Sequence, residues 1–411
     1  MKGIQQNKLG AETRGVQTTR PLRIAFLTPT FATEFDSGGM GAYLHRIARA
    51  LRELGHEPEV FTLSQEKASL LDFENIRVER LNLAQDIPLR LLTRLGAKVN
   101  ISDLVEHLRG AWSLACAFSR RNREKPFDFL QSSDYGLAGL FIKKPSHCPH
   151  LVRCSWAADL FVRMDGNSEK LDSKLYCYLE RLCIRRADLA YSPSEFVAKY
   201  YREKYGLELE VLRPPFVLET AEASSLPWEL PQRYLMYFGA ICPQKGADVL
   251  ATALPLVWQQ EPNFSMVWVG ESWNGALESY RHIWGKNSPQ VKWLGYLPSK
   301  PMVYGVLKRA EAVVIPSRTD NLPNTLIESL LLGVPVIGSL GASIDELVEP
   351  GRNGELVPIG DSVALAKALL RVWRRETSWM HGEVLPPSVV EQMRPDVAAL
   401  NLIRLARSAP Y

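Results

Sequence analysis

The run Ile315–Ser339, IPSRTDNLPNTLIESLLLGVPVIGS, sets the problem for the whole chain. With the three residues before it, it opens on an apolar strand, AVVIPSR. A polar loop follows over Thr319–Asn324, then a helix from Thr325 and a second apolar strand, VPVIGSL. The segment LIESLLLGVPVIG is apolar on nearly every side, so its helix is expected to be buried. Yet Glu328 sits about one turn inside it. A buried carboxylate without a partner is costly, so Glu328 needs one, and a pair of neighbouring polyol hydroxyls fits. A second acid, Asp320, stands at the mouth of the loop, where the N-terminal N–H groups and the helix dipole favour negative charge. The plainer alternative is a helix cap by Asp320 or Asn324 with a solvated Glu328.

The same strand–helix grammar extends in both directions. RIAFLTPTF, EPEVFTL, FDFLQSS, HLVRCSW, DLAYSPS and LEVLRPP read as buried strands, with helical periodicity over Gly39–Leu54 and Ser102–Arg121 between them. RPPFVLETAEASSLPWELPQ, rich in Pro and Ser, breaks the pattern and reads as a linker. A second series follows: RYLMYFGA, NFSMVWVG, VKWLGYL, AVVIPSR, VPVIGSL and GELVPIG. Alternation of this kind implies parallel strands with helices on both faces. The expected fold class is α/β, with two doubly wound domains facing each other across a cleft. Ligands of such sheets bind beyond the carboxyl ends of the strands. The expected boundaries are a disordered tail at 1–21, a first domain at 22–215, a linker at 216–232, a second domain at 233–386, and a C-terminal helix at 387–411 packing back on the first domain.

Composition narrows the function classes. With 411 residues the chain is too long for a single compact core. A net charge of +4, with no basic block, gives no nucleic-acid signal. Six irregularly spaced cysteines fit a reducing compartment better than a disulfide framework. No apolar run reaches transmembrane length and the N-terminal stretch lacks an apolar core. These readings place the chain in the cytoplasm, with peripheral contact at a membrane surface as an option. Two basic stretches of the first domain, PLRLLTRLGAKVN and SRRNREKPFD, could touch anionic lipid, or could simply be solvated. HCPHLVRC gathers His147, Cys148, His150 and Cys154, but partly on a strand whose side chains alternate faces, so no metal site is expected there.

Two further motifs fall where such a ligand would lie. In FDSGGMGAYLHRIARAL, Gly38, Gly39 and Gly41 let backbone approach a ligand where a helix begins, which suits an anion, although a tight turn alone would look the same. In YFGAICPQKGADVL a strand ends at Gly239 and Lys245 stands at the start of the next helix, a position suited to a diphosphate. An ordinary solvated lysine is the alternative.

Taken in order, five pieces resemble the family-four retaining glycosyltransferases of GT-B fold. They are GGMGAYLHRIARALRELGHEPEVFT, ERLCIRRADLAYSPSEFVAKYY, FGAICPQKGADVL, IPSRTDNLPNTLIESLLLGVPVIGS and IDELVEPGRNGELVPIGD, and they span both domains. The resemblance implies two Rossmann-like domains, an acceptor-binding first one and a second one that holds a nucleotide-sugar donor, UDP- or GDP-linked. The donor is a substrate, and no cofactor or metal is expected. Glu328 matches the second acid of the family's E-x7-E motif, on the nucleotide ribose. Asp320 matches the first, against the transferred sugar, and the groups of Asn321, Leu322, Asn324 and Thr325 would reach sugar hydroxyls or the diphosphate. Lys245 matches the diphosphate lysine, adjoining Gly239, and Gly38 and Gly39 match the glycine loop near diphosphate and acceptor. The chain departs from the pattern at Ala240, where the family has an arginine, at Ser155, where it often has a histidine, and in having Asp320 for a glutamate. Losing a cation at a developing charge costs roughly 100-fold or more in rate. Arg153, Arg213 and Arg318 are therefore candidate substitute cations. The implied activity is transfer of a sugar to a glycan or lipid-linked glycan in polysaccharide or lipopolysaccharide assembly. A catalytically weakened binding partner and a nucleotide-sugar epimerase are the alternatives.

Overall fold

The computed structural model describes all residues except 1–19, 34–37, 65, 85–99, 144–146, 165–169, 219–225, 298, 378, 380–381, 383–384 and 410–411. Residues 1–19 of the tail read at 1–21 and most of the PLRLLTRLGAKVN stretch thus lie outside the described residues, while Arg20 is described and bonds Asp128.

The first sheet contains β1 (Arg23–Thr28), β2 (Glu57–Leu63), β3 (Ser69–Phe73), β4 (Ile76–Leu81), β5 (Phe129–Ser133), β6 (His150–Arg153), β7 (Leu189–Ser192) and β8 (Glu210–Val211). Their order is β3-β4-β2-β1-β5-β6-β7-β8, parallel throughout except for β3 on β4. The second sheet contains β9 (Leu235–Phe238), β10 (Met266–Val269), β11 (Val291–Trp293), β12 (Val313–Ile315), β13 (Val336–Leu340) and β14 (Gly354–Pro358). It is wholly parallel in the order β11-β10-β9-β12-β13-β14. Strand order reverses beside β1 in one sheet and β9 in the other. At such a switch point neighbouring crossovers diverge and leave a crevice beyond the carboxyl ends. The short runs β9 (LMYF) and β12 (VVI) are apolar and buried almost without break, as strands covered on both faces must be.

Sequence reading omitted β3 and β4. They form an edge hairpin whose turn, Glu74–Asn75, has both residues at positive φ (51° and 61°), the twist that a two-residue hairpin loop needs. The basic run SRRNREKPFD is not a free cationic surface. Arg121 bonds Glu59 (2.8 Å), Lys125 bonds Glu57 (2.7 Å) and Arg120 bonds Glu79, so the acids of β2 and β4 answer it.

The chain end forms two helices, Pro387–Met393 and Pro395–Arg407, rather than one. Arg394 between them is extended (φ −57°, ψ 135°), because the ring of Pro395 disfavours a helical residue before it and suits the first turn after it. Met393 packs in the second domain's core, and its carbonyl accepts the Phe216 N–H at 2.7 Å. Ala399, Leu402 and Ile403 of the last helix pack with Ile47 and Leu51 of the helix Gly38–Glu53, in the first domain's core. Leu402 is 1% exposed. Leu402→Ala should therefore cost about 3 kcal/mol and lower the melting temperature, measured by calorimetry.

Candidate active site

The loop after β9 is a single 3-10 turn, Pro243–Lys245, closed by Gly246 at φ 70°. A Cβ on Gly246 would stand 1.9 Å from the Pro316 carbonyl oxygen, so only glycine lets this turn lie against the end of β12. That approach places Lys245 beside the loop after β12. Its Nζ donates to Asp320 Oδ2 at 2.7 Å. Asp320 also accepts from Ser317 Oγ at 3.2 Å and, through Oδ1, from the Asn321 N–H at 3.2 Å. Asp320 is 7% exposed and does not cap the following helix, Asn324–Leu331, which has no side-chain cap.

Glu328 is completely buried in that helix. Its Oε1 accepts from Lys300 Nζ, while Oε2, equally sealed, has no hydrogen-bond partner. Lys300 opens the helix Lys300–Leu307, in the loop region after β11, and its Nζ lies 5.8 Å from the centroid of the Phe238 ring at the end of β9. Sequence reasoning missed Lys300. The available signal was its place in LGYLPSKPMV, a strand–loop–helix junction like that of Lys245.

Asn321 reaches across the cleft. Its Nδ2 donates to the carbonyls of Cys154 and Ser155, both at 3.0 Å, and its Oδ1 accepts from Ser194 Oγ at 2.6 Å. The Leu322 N–H donates to Ser343 Oγ at 2.6 Å, with Leu322 at φ 55°. Contrary to the sequence expectation, these two groups are thus taken up by the protein itself rather than turned toward a donor. Asn324 and Thr325 begin the helix, and a Cβ on Gly39 would stand 3.5 Å from Asn324 Nδ2, so the glycine loop's helix meets the loop after β12. Gly38 starts that first-domain helix at φ 56°. Gly239 donates its N–H to Val269 O at 3.0 Å, at the carboxyl end of β9.

A second bridge lies beside the first. Glu346 of the second domain accepts the amides of Glu195 (3.1 Å) and Phe196 (2.8 Å), at the start of the helix Glu195–Tyr205, and Arg213 Nη1 at 2.6 Å. A carboxylate at a helix N-terminus satisfies free N–H groups and the dipole together. The segment that receives Asn321 is itself fixed by Asp134, a fully buried carboxyl that accepts the N–H groups of Tyr135, Ser155, Trp156 and Ala157. Burial pushes the Asp134 carboxyl up, and the four N–H groups oppose that shift.

Of the three candidate substitute cations, two are already neutralised. Arg318 grips Asp248 with both arms (2.5 and 2.7 Å), and Arg213 is held by Glu346. Arg153 lies in the first domain, 7% exposed, its guanidinium 3.6 Å from the centroid of the Tyr43 ring. At Ala240 the backbone carbonyl accepts from Tyr237 Oη at 2.6 Å. Of the cysteine–histidine stretch, His150 bonds Ser132 Oγ at 2.8 Å, and Cys148 and Cys154 are buried thiols.

The description "Glycosyl transferases group 1" matches residues 232–375, and "Glycosyl transferase 4-like domain" matches 38–214. This chain belongs to the group 1 glycosyltransferases. Among curated relatives, the amylovoran biosynthesis glycosyltransferase AmsK of Erwinia amylovora is 31% identical over 32% of this chain and 34% of its own length. The lipopolysaccharide core biosynthesis mannosyltransferase LpcC of Rhizobium leguminosarum bv. viciae is 26% identical over 45% of this chain and 54% of its own. The matched segment thus spans about a third to a half of these two relatives. Solved structures share the GT-B fold along almost the whole chain. A sucrose-phosphate synthase from Thermosynechococcus elongatus superposes with a TM-score of 0.71 at 17% identity, covering 94% of this chain and 98% of that one. Anabaena HepE in complex with UDP-glucose superposes with a TM-score of 0.67 at 16% identity, covering 94% of this group 1 glycosyltransferase and 100% of HepE.

Asn321 alone supplies three of the cross-cleft hydrogen bonds described above. Asn321→Ala should therefore let the domains separate, seen in small-angle X-ray scattering as an increased radius of gyration, with circular dichroism unchanged.

Proposed function

We propose that this protein transfers a sugar, with retention of configuration and without a metal ion, from a nucleoside-diphosphate sugar to a glycan or lipid-linked glycan acceptor. The observation that carries the reading is Glu328. It is a buried carboxylate with one oxygen unsatisfied, at the carboxyl end of the donor-side sheet. An orphaned buried acceptor of this kind destabilises the fold by about 1–3 kcal/mol unless a donor reaches it, and vicinal ribose hydroxyls are suitable donors. The domain's second pair, Lys245 with Asp320, supplies the remaining chemistry. Cleavage of the anomeric C–O bond leaves an oxocarbenium-like sugar and a diphosphate carrying extra negative charge. Lys245, exchanging Asp320 for the departing oxygens, stabilises that charge, and Asp320 is then placed to accept hydrogen bonds from the sugar. Lys300 stands in for the cation missing at Ala240, since it is a flexible ammonium that bonds Glu328 and lies beside Phe238, two residues before Ala240. The acceptor hydroxyl attacks from the face the diphosphate leaves, with no protein nucleophile.

UDP is the favoured nucleotide, supported by HepE in complex with UDP and with UDP-glucose. Roles of AmsK and LpcC in amylovoran and lipopolysaccharide core biosynthesis support a cell-surface polysaccharide or lipopolysaccharide as the product. We also propose that the protein works in the cytoplasm, in peripheral contact with a membrane surface that carries such an acceptor. No described helix is long and apolar enough to cross a membrane. Ala240 favours one other reading, a nucleotide-sugar-binding partner with weakened catalysis, which differs in giving binding without turnover.

Calorimetric titration with UDP and GDP tests the donor site. UDP should bind, and Glu328→Gln should weaken it by roughly 10–100-fold, the worth of a charge-assisted hydrogen bond. No nucleotide retained at millimolar concentration would overturn the proposal. Lys300→Met should weaken UDP more than uridine, because uridine loses only the support that Lys300 gives Glu328, whereas UDP also loses a cation for its diphosphate. Asp320→Asn should lower turnover by about 100-fold with little change in UDP affinity, measured as UDP release.

A further inference from the structure

We infer that the first domain holds a site for an oxyanion, a carboxylate or phosphate carried by the acceptor, and that Arg153 is the residue that receives it. The inference rests on the glycosyl-transfer reading only in calling that ligand the acceptor. Arg153 ends β6, beside the carboxyl ends of β1 and β5 in the parallel sheet. With Thr28, Met40, Ser133 and Ser155 it lines a small recess there. It is 7% exposed, and its partners are neutral: the Tyr43 ring, 3.6 Å below the guanidinium, and the Ser155 hydroxyl. Tyr43 in turn is held by Tyr191 Oη at 2.8 Å and Gln131 Oε1 at 3.2 Å, again without charge. Among the described residues no carboxylate pairs with Arg153. The molecule's other strongly buried arginine at a strand, Arg23 (5% exposed), is paired with Glu59.

A guanidinium removed from water without an anion is expensive, and its planar fork of N–H groups matches a carboxylate or phosphate. Stacking on Tyr43 fixes the plane of that fork before any ligand arrives. The recess is also well placed for an acceptor. The Ser155 carbonyl accepts from Asn321 Nδ2 at 3.0 Å, and the Asn321 N–H donates to Asp320 Oδ1 at 3.2 Å. The arginine therefore sits on the first-domain side of the point where the sugar would be transferred. Lys245 and Lys300, the cations proposed for the donor, both belong to the second domain. The acceptor class this selects is an acidic sugar or a sugar phosphate.

The test is ligand-observed NMR titration of the full-length protein, with UDP present, using glucuronate, glucose 6-phosphate, inorganic phosphate and methyl glucoside as probes. Wild type should bind at least one anionic sugar about tenfold more tightly than methyl glucoside, and whether glucuronate or glucose 6-phosphate gains more identifies the anion. Arg153→Met should abolish the preference while leaving the UDP dissociation constant within about twofold, as expected for sites on separate domains. Arg153→Lys, which keeps the charge without the fork, should retain part of the preference and covers the case in which the Met variant fails to fold. Equal binding of charged and neutral sugars, a preference that survives Arg153→Met, or binding of inorganic phosphate alone would overturn the inference. So would a loss of UDP affinity in Arg153→Met, which would put the arginine on the diphosphate. Absence of UDP binding in wild type would instead count against the donor-site reading, because the anion preference can be measured without nucleotide.

Discussion

A carboxylate cannot rest in an apolar interior without something to donate to it, and the second domain is organised around that constraint at Glu328. The helix that carries it is buried, so the acid cannot turn out to water. Lys300 answers one oxygen from a neighbouring loop and leaves the other unanswered. The loops after β9 and β11 therefore each bring an ammonium to an acid of the segment that follows β12. Parallel topology brings them together: each strand of such a sheet delivers its following loop to the same edge. Lys245 and Asp320 repeat the motif at the mouth of the cleft, where the pair is partly open to solvent.

Closure of the two domains uses the same loop. Asp320 faces Lys245, while its neighbour Asn321 grips the backbone of the first domain. The ion pair at one residue and the domain contact at the next are thus mechanically coupled. On the opposite side the receiving backbone is held by Asp134, whose carboxyl collects the three consecutive amides of Ser155, Trp156 and Ala157 together with that of Tyr135. Glu346 adds a second point of attachment through a helix N-terminus.

The two doubly wound sheets were legible in the sequence because their strands are continuous apolar runs, and Glu328 was legible because an acid inside LIESLLLG contradicts its surroundings. The hairpin of β3 and β4 was not. SLLDF at a sheet edge leaves Leu70 54% exposed, and its turn residues, Glu-Asn, carry no glycine signal. Lys300 was invisible because it and Glu328 meet only through the tertiary fold. The fates of Arg213 and Arg318 were hidden for the same reason: a cation's partner is decided by packing, and Glu346 and Asp248 stand 133 and 70 residues away from them along the chain. Asn321 looked like a ligand group because it follows Asp320. Its engagement across the cleft depends on the position of the opposing domain, which no local pattern encodes.

The return of the chain end has a mechanical consequence. The polypeptide passes between the domains twice, near Phe216 on the way out and at Arg394 on the way back, and the Phe216 N–H to Met393 carbonyl bond ties the two passages side by side. Two adjacent tethers act as a door hinge does, suppressing sliding and twisting while leaving rotation about one axis. Lobes so joined would swing apart and return to the same register, which would bring Asn321 back to its carbonyl partners without a search.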